Sequence, residues 1–440
     1  MRIRRTLLAA GGALGAAVLI AGCGSSGGVG GPEEVEQDTS EEVELTYWTW
    51  FPPETTLTAA IEAFEAENPN ISVNLRVFVN TDYQQQLPLA LSGGEDLDVV
   101  GVQVSAMTNS VREFLLPVDE WAGDWLGNLN EPMVQQTQDI ADDDVLYSVP
   151  MGSIATPIVY YNAEMLEEAG AEVPTTVDEW KTAVDAVAAT FPDVTPVVFQ
   201  GEPYWQSEML FGFAEQTSPG ISDDINVDGG SWDQPAVVDG LNMYKSIFDA
   251  GVVDTDVLSL LGTRPSELFA AGEAAFYIDG SWQDSLLSQP FREANGIEVA
   301  DVGATALPLA DGGSQTVRAF AEGGLAIPAA SDNVEAAATF IEFMVDTAGA
   351  DVWAPDLVLL PSLDGYELPD TVLATEASQQ GYAQVAQLIG NPSSIRTAQP
   401  DFNNVMGNMI LDMLRGEATA EETAANMQAE WTSGRYGDQG

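Results

Sequence analysis

The sequence contains no histidine, a single cysteine, and only two lysines, Lys181 and Lys245. Without histidine, nucleophiles activated by an imidazole base are excluded, and so is any His-ligated metal site. One cysteine excludes an intramolecular disulfide. Basic residues number 13 against 69 acidic ones, and they form no cluster. Nucleic acid, whose phosphates require Lys and Arg patches, is therefore excluded as a partner. No phosphate-cradling glycine loop is present. Beyond the first residues no apolar run reaches the roughly 20 residues that span a bilayer.

What is present begins with an export signal. Arg2, Arg4 and Arg5 precede an apolar run from Leu7 to Ile20, which ends in Ala21-Gly22-Cys23. A charged start, a short apolar core and small residues before a cut site read as a signal peptide over 1–22. Arg4-Arg5 leaves the general and twin-arginine routes both open. Cys23, directly after the small pair, resembles the cysteine of a lipobox and is the expected lipidation site. Stable anchoring takes two acyl chains or more. The Gly/Ser-rich stretch from Gly24 to Gly31 and the acidic stretch from Pro32 to Glu42 then read as part of a flexible tether over 23–43. The expected location is the extracellular face of the cytoplasmic membrane, with the body held there by lipid.

Three of the basic residues precede Cys23 and all 69 acids follow it, leaving a charge of −59 on the remainder. Such self-repulsion is suppressed when salt shortens the Debye length to about 3 Å at 1 M. The composition therefore reads as a salt-adapted acidic surface. A Ca²⁺ ion could sit at Asp142-Asp143-Asp144 or Asp223-Asp224, but acidic loops in such a chain read as solvated surface. No metal and no cofactor are expected.

Along the chain the apolar pattern switches between periods of two and 3.6. Val43 to Trp50 reads as a strand, and Thr55 to Asn68 as a helix with Leu57, Ala60, Ile61 and Phe64 on one face. Ile71 to Val79 reads as a strand, Tyr83 to Leu91 as a helix and Leu97 to Val102 as a strand. The middle continues with a strand over Ile158 to Tyr161 and helices over Ala163 to Ala169 and Thr176 to Thr190. Thr176 with Glu179 has capping-box spacing. Helices over Pro265 to Ala271 and Asn333 to Val345 and strands over Ala274 to Ile278 and Gly324 to Ile327 follow, and Asn403 to Trp431 is helix-rich. This alternation predicts an α/β fold with mainly parallel sheets flanked by helices.

Five segments in order carry a family resemblance. They are Leu45-Thr46-Tyr47-Trp48 with Phe64-Glu65-Ala66-Glu67-Asn68-Pro69; Leu91-Ser92-Gly93-Gly94 with Leu97-Asp98-Val99-Val100; Tyr160-Tyr161-Asn162 with Ala169-Gly170 and Pro174-Thr175-Thr176-Val177-Asp178-Glu179-Trp180; Leu268-Phe269-Ala270-Ala271-Gly272-Glu273-Ala274-Ala275-Phe276 with Asp279-Gly280-Ser281-Trp282; and Gly323-Gly324 before Ala326-Ile327. From about Glu44 to Trp431 the chain resembles the extracellular solute-binding proteins of ABC transporters, in the group of the maltose-binding and other sugar-binding proteins. The departures are Leu97, where proline is usual, and the lack of an acid near Ile154 to Thr156. The resemblance implies the two-lobe periplasmic-binding-protein-like fold of type II. Lobe 1 would take 44–152 and 305–348, and lobe 2 would take 153–304 and 349–440, with a cleft that closes by hinge motion. It also implies a small neutral carbohydrate ligand, ABC permease subunits as partners, a monomer, and no catalysis.

Sugars are recognised by flat apolar faces together with fixed donors and acceptors, and in open α/β sheets ligands sit beyond the carboxyl ends of strands. Trp48 and Trp50 fall at the end of the first strand, and one of them is expected to reach the cleft. Trp282 follows the strand over Ala274 to Ile278 and matches a family residue that stacks on sugar. Trp205, beside Tyr204, falls in a presumed loop after Val197 to Phe199. Gln103 and Ser105 follow the third strand, where the resemblance implies hydrogen-bonding residues, and Glu322, Gly323 and Gly324 resemble a ligand-contacting loop. Asp279 reads either as a ligand acceptor or as a turn-forming residue before Gly280. Trp180 and Trp431 are expected to pack in the core.

Other readings remain. The same fold could carry a polyol, glycerol phosphate or compatible solute, although for a phosphate only Arg264, Arg318 and Arg396 could help. A glycan-acting enzyme would need a carboxylate pair, and none stands out. A surface adhesion module would keep the body without a transporter.

Overall fold

The computed structural model describes residues 42–141, 143–226, 229–310, 312–369, 371–389 and 400–436. The expected signal peptide, Cys23, Asp142, Arg396 and the tether up to residue 41 lie outside the described residues.

Three small sheets organise the body. The first has the order β10-β3-β1-β2, from β1 (Val43–Thr49), β2 (Ile71–Val77), β3 (Val99–Val102) and β10 (Gly324–Ala326). The second joins β4 (Gly152–Thr156), β9 (Arg318–Glu322) and β11 (Leu360–Pro361) in the order β11-β4-β9. The third runs β6-β7-β5-β8, from β5 (Ile158–Asn162), β6 (Thr195–Phe199), β7 (Ala274–Asp279) and β8 (Val302–Ala306). The first and third sheets are the floors of two lobes, and the antiparallel second sheet carries the chain between them.

Local signals account for the elements that the sequence predicts. Leu57, Ala60, Ile61 and Phe64 are the buried face of the helix Glu54–Glu67, where Phe64 meets Phe340 edge-on at 5.0 Å. Thr176 and Glu179 form a complete capping box on the helix Val177–Thr190. Asn162 of the Tyr-Tyr-Asn segment caps the next helix by accepting from the Met165 N–H at 3.0 Å. Trp180 is buried, edge-on to Phe276. Trp431 packs with Phe402 and Trp232.

Three features differ from the expectations. Among the described strands, parallel pairing is limited to β1/β2, β1/β3 and β6/β7, while β5 lies antiparallel to both β7 and β8, and β10 to β3. Strands that return from far along the chain set these pairings, and local alternation carries no trace of them. The lobe boundaries also shift. Helix Thr347–Leu357 packs with lobe 1: Ala350, Trp353, Ala354 and Leu357 join the core that contains Leu57, Ala60 and Phe64. Residues 349–357 therefore do not belong with lobe 2, and β8, through Ala306, does not open lobe 1. Finally, Trp205 is not in a loop but begins the helix Trp205–Thr217. That helix is buried almost all round, so it shows no amphipathic stripe to read.

Candidate functional site: the interlobe cleft

A cavity of about 1310 Å³ lies between the lobes. Lobe 1 contributes Trp50, Phe51, Thr56 and Gln103, and lobe 2 contributes Gln200, Tyr204, Trp205, Trp282, Gln283 and Phe291. Ile154 and Glu322, from the connecting sheet, lie between them. The volume exceeds that of the usual pocket for a drug-sized molecule, roughly 300–1,000 Å³.

The aromatic residues are held rigidly. The chain leaves β1 at Trp50, whose ring packs on Tyr83 at 5.4 Å, and the Tyr83 hydroxyl donates to the carbonyls of Trp48 and Gly101. Trp282 meets Trp205 edge-on at 6.2 Å and 81°, and it packs against the cores of both lobes. The turn before it requires glycine: a Cβ on Gly280 would lie 2.2 Å from the Trp282 ring. The buried Trp205 indole N–H has no acceptor among the described residues.

Charge in the lining is of one sign. Glu208, Glu322 and Asp356 reach the cavity, and no Lys or Arg lines it among the described residues. Behind the wall, the buried Arg318 holds Glu208 at 2.7 Å, its guanidinium sandwiched between Phe211 and Phe320 at 4.9 and 5.0 Å. Arg318 is thus spent on structure, and Arg264 pairs with Glu267 and Glu273 on the exposed surface. Asp356 accepts from the Thr56 hydroxyl, joining helices 300 residues apart.

The sequence candidates divide cleanly. Trp50, Gln103, Trp205, Trp282 and Glu322 come together in the lining; Trp48, Ser105, Asp279, Gly323 and Gly324 do not. Trp48 is buried against Phe78 at 4.9 Å, with Arg76 over its ring. Ser105 caps the helix Ala106–Val111 through the Met107 N–H. Gly323 turns β9 into β10 with φ +66°, and Gly324 is tight because a Cβ would lie 2.7 Å from the Val102 carbonyl. Asp279 is only 1% exposed and sits behind the wall. Among lining residues not singled out from the sequence, Gln200 and Gln283 could have been sought at the ends of β6 and β7. Thr56 and Asp356 had no local signal, because their pairing is purely tertiary.

Among the described residues no group of three or more His, Cys, Asp or Glu could hold a metal ion. At the suggested acidic loops, Asp143 accepts from Tyr147 and pairs with Arg112, and Asp224 accepts from Gln234.

Residues 50–351 match the model of the bacterial extracellular solute-binding proteins. The chain belongs to that family. Among curated relatives, the solute-binding protein resembles the xylose/arabinose-binding protein XacG of Haloferax volcanii, with 24% identity over 265 residues that cover 56% of this chain and 54% of that one. It is 27% identical to a putative binding protein of Brucella abortus over 225 residues, 49% of this chain and 52% of the relative. The chain thus spans about half the length of the curated relatives it matches. Among solved structures, the GacH receptor of Streptomyces glaucescens, studied unliganded and with acarbose, superposes with a TM-score of 0.71 at 21% identity, over 89% of this chain and 97% of that one. At such identities the likeness is one of fold. The fold is the two-lobe, type II periplasmic-binding-protein-like arrangement that the family resemblance implies. Among the described residues no helix is long and apolar enough to cross a membrane.

Proposed function

We propose that this solute-binding protein is the extracellular capture component of an ABC importer, taking a neutral sugar or oligosaccharide by cleft closure and passing it to the permease. The observation that carries the reading is the lining itself: Trp50, Tyr204, Trp205, Trp282 and Phe291 share it with the amides of Gln103, Gln200 and Gln283. Aromatic faces accept the C–H side of a sugar ring, and amides match its hydroxyls. Carboxylates without a lining cation disfavour a phosphorylated or carboxylated cargo, which sets glycerol phosphate behind the neutral sugars. The names of relatives that bind xylose or arabinose, acarbose and maltose support a carbohydrate. Capture involves no bond-making, so no residue of the cleft is given a catalytic part.

The reading extends to the parts that lie outside the described residues. Residues 1–22 serve as the export signal, and Cys23 carries the lipid that holds a monomeric body at the outer face of the cytoplasmic membrane. The charge of −59 on the exported chain suits a concentrated-salt milieu.

The test is a panel of pentoses, hexoses and their oligomers against the purified protein in molar KCl. One sugar class is expected to raise the melting temperature, because a ligand that binds only the native state stabilises it. Replacing Trp282 with alanine abolishes that rise, whereas Trp282→Phe keeps a ring face and retains part of it. A panel with no stabilising sugar, or a full shift in Trp282→Ala, overturns the reading.

A further inference from the structure

Behind the lobe 2 wall, Asp279 ends β7 almost completely buried. Its carboxylate accepts from the Gly280 N–H at 2.9 Å and from the Gln283 amide at 3.2 Å. It also accepts from the Tyr277 hydroxyl and the Gln200 side chain. Gln200 and Gln283 both line the cleft, one after β6 and one after β7. An amide that donates its N–H₂ to a carboxylate must turn its carbonyl oxygen elsewhere. For Gln200 that is visible, since its Oε1 accepts from the Tyr204 hydroxyl at 2.5 Å. Tyr204 also lines the cleft.

We propose that Asp279 is the positioning residue of the ligand cleft: ionised, it fixes the Gln283 amide with its carbonyl turned away from the carboxylate, fixes Gln200 so that its carbonyl orients the Tyr204 hydroxyl, and holds the turn that carries Trp282. The wall is thereby set to receive hydroxyl donors. The inference deepens the carbohydrate reading and rests on it for its ligand. Protonated Asp279 becomes a donor on one oxygen, and the donors around it must rearrange, the Tyr277 hydroxyl by turning to accept or a facing amide by reversing. Burial raises the Asp279 carboxyl to about 6, opposed by the hydrogen bonds from Tyr277, Gly280, Gln283 and Gln200. The competence of the wall is therefore complete above that pH and lost as pH falls through it.

The groups around it come from every side. Tyr160 on β5 and Tyr204 at the head of the helix Trp205–Thr217 both feel its charge. Asp284, in the turn after Trp282, is bonded to Tyr160, and Glu202 neighbours Tyr204. On the helix Arg264–Ala270, Ser266 hydrogen-bonds Tyr277, while Arg264 and Glu267 point to solvent.

The deciding experiment follows tryptophan emission of the ligand-free protein in molar KCl from about pH 5 to about pH 8, alongside sugar affinity over the same range. The wild type is expected to show a transition near pH 6 that disappears in Asp279→Asn and in Trp282→Phe. Should Asp279→Asn fail to fold, Tyr277→Phe serves: removing one donor to the carboxylate moves the transition to higher pH. With the sugar found by the panel, wild-type affinity weakens about tenfold from pH 7 to pH 5, following the ionised fraction, and in Asp279→Asn this dependence is flat. No transition in the wild type, or one that survives Asp279→Asn or stays put in Tyr277→Phe, overturns the proposal. If no sugar binds, the carbohydrate reading fails, and the ligand-free titration still decides the role of Asp279.

Discussion

Asp98 in lobe 1 and Asp279 in lobe 2 are both buried carboxylates, 2% and 1% exposed, and they do different things. Asp98 accepts from the Thr46 N–H at 2.9 Å, the Ser331 hydroxyl at 2.6 Å and the Asn333 amide at 3.1 Å. None of these partners lines the cleft, so Asp98 staples β1 to the loop that enters the helix Val334–Val345. Asp279 spends two of its hydrogen bonds on cleft amides, and a second buried acid, Asp284, accepts from Tyr160 at 2.6 Å close by. The difference teaches that a buried carboxylate alone is not a functional signal. What its partners touch decides whether it serves the fold or the ligand.

The contrast can be broken in three further ways. The largest effect belongs to Asp284, whose carboxyl burial pushes up to about 8. The unfolded chain releases that proton near pH 4 while the folded state keeps it, so stability falls as pH rises from about 4 to about 8. Asp284→Asn, which still accepts from Tyr160, is expected to gain several kcal/mol on the wild type over that range, measured by denaturant unfolding at each pH. An advantage that does not grow with pH would remove Asp284 from the account. Asp98→Ala comes next. It loses charge-assisted bonds worth about 1.5–3 kcal/mol each before relaxation, and a net loss of about 3 kcal/mol is expected with the pH profile of sugar affinity unchanged. A displaced profile would erase the distinction between the two aspartates. The smallest effect is that of Thr176→Ala, which removes the cap of an outer helix at a cost of about 1 kcal/mol and leaves affinity alone. Calorimetry and titration on one sample read both quantities.

Much of this architecture was legible locally. The buried stripe Leu57, Ala60, Ile61 and Phe64 and the capping box of Thr176 and Glu179 are short-range patterns, and the structure reproduces them. Trp282 was legible because it follows the strand Ala274 to Ile278 at the position of the family resemblance, and the structure adds that a Cβ on Gly280 would strike its ring. Trp205 reads as a loop residue in the sequence because its helix is buried on nearly every face and has no polar side to set a period. The allegiance of residues 347–357 was illegible for a different reason: it depends on contact with a helix some 300 residues earlier, as the bond from Thr56 to Asp356 makes plain.

By itself the sequence determined the α/β alternation, the helix caps, the strongly acidic composition and the lack of histidine and of a cysteine pair, because each follows from composition or from neighbours a few residues apart. Only the tertiary structure decided which tryptophans line the interlobe cleft, that Arg318 is consumed by Glu208, and that Asp279 stands behind the wall rather than in it. Those outcomes depend on which distant segments share one desolvated space, and there a hydrogen-bond partner, once buried, has no water to replace it.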